Sequence, residues 1–183
     1  SIPEGKPKRL TSSPEIEANP VWSPDGKTIA FVRWSDEDGG GIYKANPFSK
    51  RFNPTKLTKD TGIYSSPVWS NDGEKIVAFR GSSRTYKEAT GPGAFASTDD
   101  LIWVSSKGGN NNLIDKSNGR SNPHFVKNSD RIFLNQRGTL VSIRWDGTDE
   151  KEHVSITGIT TRGFSVEESH SSDSDVMQNI LHP

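Results

Sequence analysis

The sequence predicts an all-β fold assembled from repeated four-stranded antiparallel units, and three observations lead there. First, an eleven-residue pattern with an aromatic at its fourth position occurs three times. Second, 17 glycines and 11 prolines are spread along the chain. No window of about 11–18 residues sustains an apolar stripe at the spacing of a helix. Third, each repeat is followed by further short apolar runs, giving four runs per roughly 40–50 residues, the period of a propeller blade. The chain therefore reads as a β-propeller segment of about three complete four-stranded antiparallel blades plus partial terminal strands.

Composition narrows the class. The 183 residues carry 23 Lys and Arg against 23 Asp and Glu, so the formal net charge is zero. Without a global basic field, general nucleic-acid binding is not expected. Apolar residues make up only 30%, yet five Trp, eight Phe and three Tyr are present, so the chain is expected to fold around a thin, aromatic-rich core. No apolar run approaches the roughly 18 residues of a membrane helix, so no membrane insertion is expected. Cysteine is absent, which excludes disulfides and thiolate metal ligands.

Taken in chain order, Lys8-Arg9-Leu10-Thr11 resembles Lys56-Leu57-Thr58, so residues 7–11 are expected to be the last strand of an earlier unit. The first repeat is Asn19-Pro20-Val21-Trp22-Ser23-Pro24-Asp25-Gly26-Lys27-Thr28-Ile29. The second is Ser66-Pro67-Val68-Trp69-Ser70-Asn71-Asp72-Gly73-Glu74-Lys75-Ile76. The third is Asn122-Pro123-His124-Phe125-Val126-Lys127-Asn128-Ser129-Asp130-Arg131-Ile132. Trp22, Trp69 and Phe125 recur at intervals of 47 and 56 residues, and an Ile follows each by seven. Asp25-Gly26 and Asp72-Gly73 suit a tight turn, because Gly accepts positive φ and Asp bonds its own backbone. The third copy keeps turn chemistry in Asn128-Ser129 but loses the Gly.

The returning strands are 28–32, 75–79 and 131–134, whose continuous apolar character suits burial on both faces. Third strands follow at 41–44, 101–104 and 139–143, and fourth strands at 54–58, 112–115 and 153–156. The blades are thus expected at about 20–58, 67–115 and 123–156, with partial strands at 7–11 and 177–183. In the last of these, Leu181 takes the aromatic position, 56 residues after Phe125. The chain is accordingly expected to be a piece of a larger propeller. Open blade edges carry an expectation of self-association. Trp22, Trp69 and Phe125, with the turn residues Asp25, Gly26, Asp72 and Gly73, are read as structural repeat positions, the aromatics wedged between neighbouring blades.

Chemistry-bearing motifs are sparse. His124, His153, His170 and His182 show no metal-site spacing. His124 stands where the other repeats have Val21 and Val68, which fits either an edge histidine or a channel-facing one. Ser35-Asp36-Glu37-Asp38-Gly39-Gly40-Gly41 echoes part of a calcium loop, but the further oxygens and closing Glu are missing, so it reads as a hairpin. No Gly-x-Ser-x-Gly elbow, phosphate loop or dinucleotide fingerprint occurs. No catalytic, cofactor or metal residue is therefore assigned. Arg80–Asp100 is the chief insertion, and long loops are often functional. Arg84, Tyr86, Lys87 and Phe95 within it are the candidate interaction residues.

The Pro-x-Trp-Ser-Pro-Asp-Gly-x-x-Ile signature resembles that of TolB-like β-propeller repeats, a WD-like family; the first copy matches fully, the second closely and the third in its skeleton. The resemblance runs from about Pro7 to Pro183. Arg137-Gly138-Thr139-Leu140 and the segment Ser142–Glu150 are similar to stretches in propeller regions fused upstream of amidohydrolases. The resemblance implies a non-catalytic module, periplasmic or otherwise exported, that binds protein partners or an adjacent catalytic domain in a Tol-type transport system. The alternative it implies is the propeller region of a metal-dependent amidohydrolase whose catalytic domain lies elsewhere. A propeller lyase acting on acidic sugars needs a histidine cluster that the four scattered histidines do not suggest.

Overall fold

A computed structural model describes residues 9–88 and 100–155. Strands β1 (Ile16–Trp22), β2 (Ile29–Ser35), β3 (Gly39–Ala45) and β4 (Thr55–Lys56) form the first sheet in that order. The second contains β5 (Ile63–Trp69), β6 (Lys75–Gly81), β7 (Asp100–Ser105) and β8 (Asn112–Lys116), with a six-residue helix α1 (Ser83–Glu88) after β6. The third contains β9 (Arg120–His124), β10 (Ile132–Gln136), β11 (Thr139–Ile143) and β12 (Lys151–Ser155). Every pairing within the sheets is antiparallel. The sheets follow one another as blades, β5 lying beside both β1 and β9.

Side-chain alternation stacks the sheets. On β2, Ala30 and Val32 face the second sheet, where they meet Ile76, Ala78, Ile102 and Val104 in one apolar cluster. The opposite face of the second sheet presents Val77, Phe79 and Leu101 to Ile132, Leu134, Val141 and Ile143 of the third. The middle strands are thus buried on both sides, as continuous apolar runs require. Each fully buried aliphatic side chain contributes about 1.5–3 kcal/mol. Polar links cross the same seams. Lys44 Nζ donates to Ser106 O at 2.6 Å, and Gly109 N to Leu57 O at 2.9 Å. Lys75 Nζ sits over the rings of Trp103 and Trp145, at 5.3 and 4.9 Å. Arg120, buried at the start of β9, clamps the second seam by bonding Asp115 of β8, Glu150 at 3.0 Å and the Lys116 carbonyl at 2.6 Å.

The three repeats begin with one backbone device. Asn19, Ser66 and Asn122 have φ near +50° (51°, 50° and 50°), and each precedes a proline. The register slips there in all three sheets, so two residues of the first strand oppose one of its neighbour. This is a β-bulge, in which the proline loses no ladder bond and the left-handed residue turns the next side chains into the seam. Asn tolerates that conformation better than most residues, which accounts for two of the three positions.

Three expectations need correcting. Arg9–Thr11 form no strand, since a strand needs a hydrogen-bonding neighbour and the described residues offer none there; Leu10, exposed, lines a shallow cleft whose wall also includes Phe31 and Phe52. The insertion after β6 opens with a helix rather than a loop. Trp22 is not wedged between blades: it is 53% exposed, while Trp69 is 7% exposed. Each such aromatic packs back onto the preceding sheet, and no sheet precedes β1 among the described residues. Trp22 stacks instead on exposed Phe48, with centroids 5.9 Å apart. The expected terminal strand at 177–183 lies outside the described residues.

Candidate functional site: the rim of the long insertion

One rim of the sheets carries the turns between first and second strands. Ser23 Oγ donates to Asp25 Oδ1 at 2.6 Å, Asp25 Oδ1 accepts from Lys27 N at 3.1 Å, and Ser23 Oγ accepts from Thr28 N at 3.0 Å. The second turn repeats this with Ser70, Asp72, Glu74 and Lys75. These bonds, the serine hydroxyl's first, hold the Asp25 and Asp72 carboxyls below their ordinary value. Gly26 and Gly73 follow with φ of 68° and 71°, the conformation that selects glycine. In the third turn the left-handed residue is Asn128, at 63°, one position earlier, because Ser129 lacks glycine's freedom. A cleft of about 500 Å3 separates the first two turns, with Asp25, Asp72, Lys44 and Trp69 in its wall. The carboxylates are spent on their own turns, so this rim is structural in its chemistry.

The opposite rim is built from the β2–β3 hairpin and the insertion after β6. Here the charges are segregated. Glu15, Asp36, Glu37 and Asp38 surround a cleft of about 590 Å3 with Ile16 and Trp34 in its wall. Arg33 beneath them pairs with Glu15 at 3.0 Å and Glu17 at 2.7 Å and lies over the Tyr43 ring at 4.6 Å. Burial pushes the Tyr43 hydroxyl above its usual range. On the second sheet the rim turns basic: Arg80, Arg84 and Lys116 line a smaller cleft of about 340 Å3. The β2–β3 hairpin packs against this insertion so closely that a side chain at Gly39 would lie 3.3 Å from Ser83 Oγ.

Of the candidate interaction residues, Arg84 projects from α1 with its side chain 85% exposed and pairs with Glu88 at 2.8 Å. Tyr86 and Lys87 belong to the same helix, though their side chains are not among the described ones. Phe95 lies outside the described residues. Phe125 packs into the second seam and stacks on Trp145 at 5.5 Å.

The outer face of the third sheet departs from its siblings. It carries His124, where the other repeats have Val21 and Val68, together with Phe133, Ser142, Arg131 and His153. Phe133 lies between the two imidazoles, at 5.8 Å from His124 and 5.0 Å from His153. Ser142 Oγ and His153 Nε2 are 2.7 Å apart, the spacing of a nucleophile and its base. Ser142 is fully buried, however, and its Oγ also accepts from Arg131 Nε at 2.7 Å. That hydroxyl is a packing strut, closed to a substrate. Among the described residues no three His, Asp or Glu gather as metal ligands. No helix among them is long and apolar enough to cross a membrane.

Sequence reasoning missed Arg120, Arg80 and Gly40. Gly40 would have been findable, because glycine inside a strand signals close backbone approach; a Cβ there would collide with the Gly62 carbonyl of the next sheet. Arg120 has no such local signal, since its partners come from two sheets.

No protein-family model matches the chain, and no curated protein does either. Solved structures do. A structure assigned to TolB from Agrobacterium tumefaciens matches with a TM-score of 0.58 and 20% identity, over 81% of this chain and 52% of that one. TolB from Acinetobacter baumannii matches with a TM-score of 0.52 and 21% identity, over 76% of this chain and 32% of that one. This chain thus spans about half the length of one and a third of the other. With three four-stranded antiparallel blades in sequence, the chain has the TolB-like β-propeller fold.

Proposed function

We propose that this chain is a non-catalytic, TolB-like propeller segment that binds a protein partner, as part of an exported Tol-type transport system in bacteria. The observation that carries the reading is the rim of the insertion. It joins a helix bearing exposed Arg84 to an acidic hairpin, whereas the opposite rim spends its carboxylates internally. A segregated charge pattern of this kind steers encounter and sets register with a protein surface. Arg84, Tyr86, Lys87 and Phe95 are the proposed contact residues. The closed Ser142 hydroxyl supports a binding role over hydrolysis. The resemblance to amidohydrolase-fused propellers rests on Arg137–Leu140 and Ser142–Glu150 alone.

Site-specific photo-crosslinking tests this. A crosslinker at position 84 or 95 is expected to trap an envelope protein in bacterial cells, while one at position 71, on the turn rim, traps none. Trapping from position 71 alone would refute the assignment of the rim. Adducts only of the chain with itself would refute the partner and point to self-association.

A further inference from the structure

We propose that the small cleft at the root of the insertion is an oxyanion site, taking a carboxylate or phosphate group. The cleft is walled by Thr61, Arg80, Ser83, Arg84, Asp100 and Lys116. Its cations are not equivalent. Lys116 pairs with Asp100 at 2.5 Å, and Arg84 with Glu88 at 2.8 Å. Arg80 has no carboxylate partner among the described residues; its guanidinium donates from Nη2 to the Thr61 carbonyl at 3.0 Å.

Two hydrogen-bond donors in this wall, Arg80 Nε and Ser83 Oγ, are buried and unpartnered. A buried donor left without an acceptor costs about 1–3 kcal/mol, and more when it is charged. Native structures keep few such groups, and an ion or ordered water commonly accounts for them. One orphan is a cationic N–H and the other a hydroxyl that can donate, and Arg80 has no carboxylate partner among the described residues, so an acceptor with negative charge satisfies both. Neither donor is open to water as the side chains stand, so the ion is taken by Arg80 and Ser83 turning these groups toward the cleft that both residues line. Planar recognition of carboxylate or phosphate is the chemistry in which a guanidinium edge exceeds a lysine.

The site does not depend on a protein docking to the rim, and its test is separate. The Nε–Hε resonances of arginine in the 15N-labelled full chain are followed while acetate, inorganic phosphate or chloride is added at constant ionic strength. The Arg80 resonance is assigned by its loss in Arg80→Lys, whose backbone spectrum reports an intact fold. The expected result is a saturable shift of that resonance with acetate or phosphate and none with chloride. A response to acetate identifies a carboxylate ligand, and a response to phosphate alone a phosphate group. Ser83→Ala is expected to weaken binding by about tenfold, the worth of one hydrogen bond to a charged group. No saturable shift with either oxyanion would overturn the site and leave the orphans to buried water. Affinity unchanged in Ser83→Ala would overturn it as well. Crosslinking from position 84 stands or falls independently of both.

Discussion

Trp22 and Trp69 occupy the same position of the same motif, and replacing each by alanine isolates what the neighbouring sheet contributes. A Trp side chain offers roughly 200 Å2 to burial. At 7% exposure Trp69 keeps nearly all of that out of water, worth about 4–5 kcal/mol at ~25 cal/mol per Å2. At 53% exposure Trp22 hides about half, worth about 2 kcal/mol. Both figures are upper bounds, because unfolded chains already bury some surface, but their difference survives that correction. Trp69 also donates from Nε1 to the Val21 carbonyl at 3.3 Å, a bond across the seam for which Trp22 has no counterpart among the described contacts. Urea unfolding of Trp22→Ala and Trp69→Ala is therefore expected to show Trp69 costing about twice as much. Equal losses would refute the argument that each aromatic packs back onto the preceding sheet. So would a larger loss for Trp22.

Further outcomes follow from other contacts. Arg120→Met removes the donor shared by Asp115, Glu150 and two carbonyls, and is expected to cost about 2–4 kcal/mol in urea unfolding, with Arg120→Lys intermediate. Gly40→Ala drives a methyl into the Gly62 carbonyl and to 3.0 Å from the Trp34 ring, and is expected to lower stability by about 1–3 kcal/mol. Asp25 and Asp72 have folded pKa values below the ordinary 3.8, so their contribution is fully present above that value. It is lost as pH falls through the lower folded values. Melting temperature against pH is expected to show an acid limb that flattens in Asp72→Asn; an unchanged limb would refute the linkage.

The turn chemistry was legible because it is local. Ser, Asp and Gly within four residues supply the hydroxyl, the carboxylate and the positive φ that close the turn among themselves. The repeated sheets were legible for the same reason, since their periodic apolar runs need only each other. The bulge at Asn19, Ser66 and Asn122 was in plain view as a residue-proline pair, yet nothing local distinguishes it from an ordinary strand start. Arg80 could not be singled out from other arginines, because its lack of a carboxylate partner among the described residues is a statement about which carboxylates the fold carries elsewhere.

Sequence alone determined the order of the strands, the positions of their turns and the alternation that gives each sheet two faces, since short-range sterics and patterning set all of these. Which face meets which neighbour was settled only in three dimensions. Burial belongs to pairs of surfaces, so closely similar motifs place Trp69 in a seam and leave Trp22 half exposed. The same holds for charge: the fold neutralises Arg33 and Arg120 with carboxylates brought from other strands and loops, and gives Arg80 no carboxylate partner among the described residues.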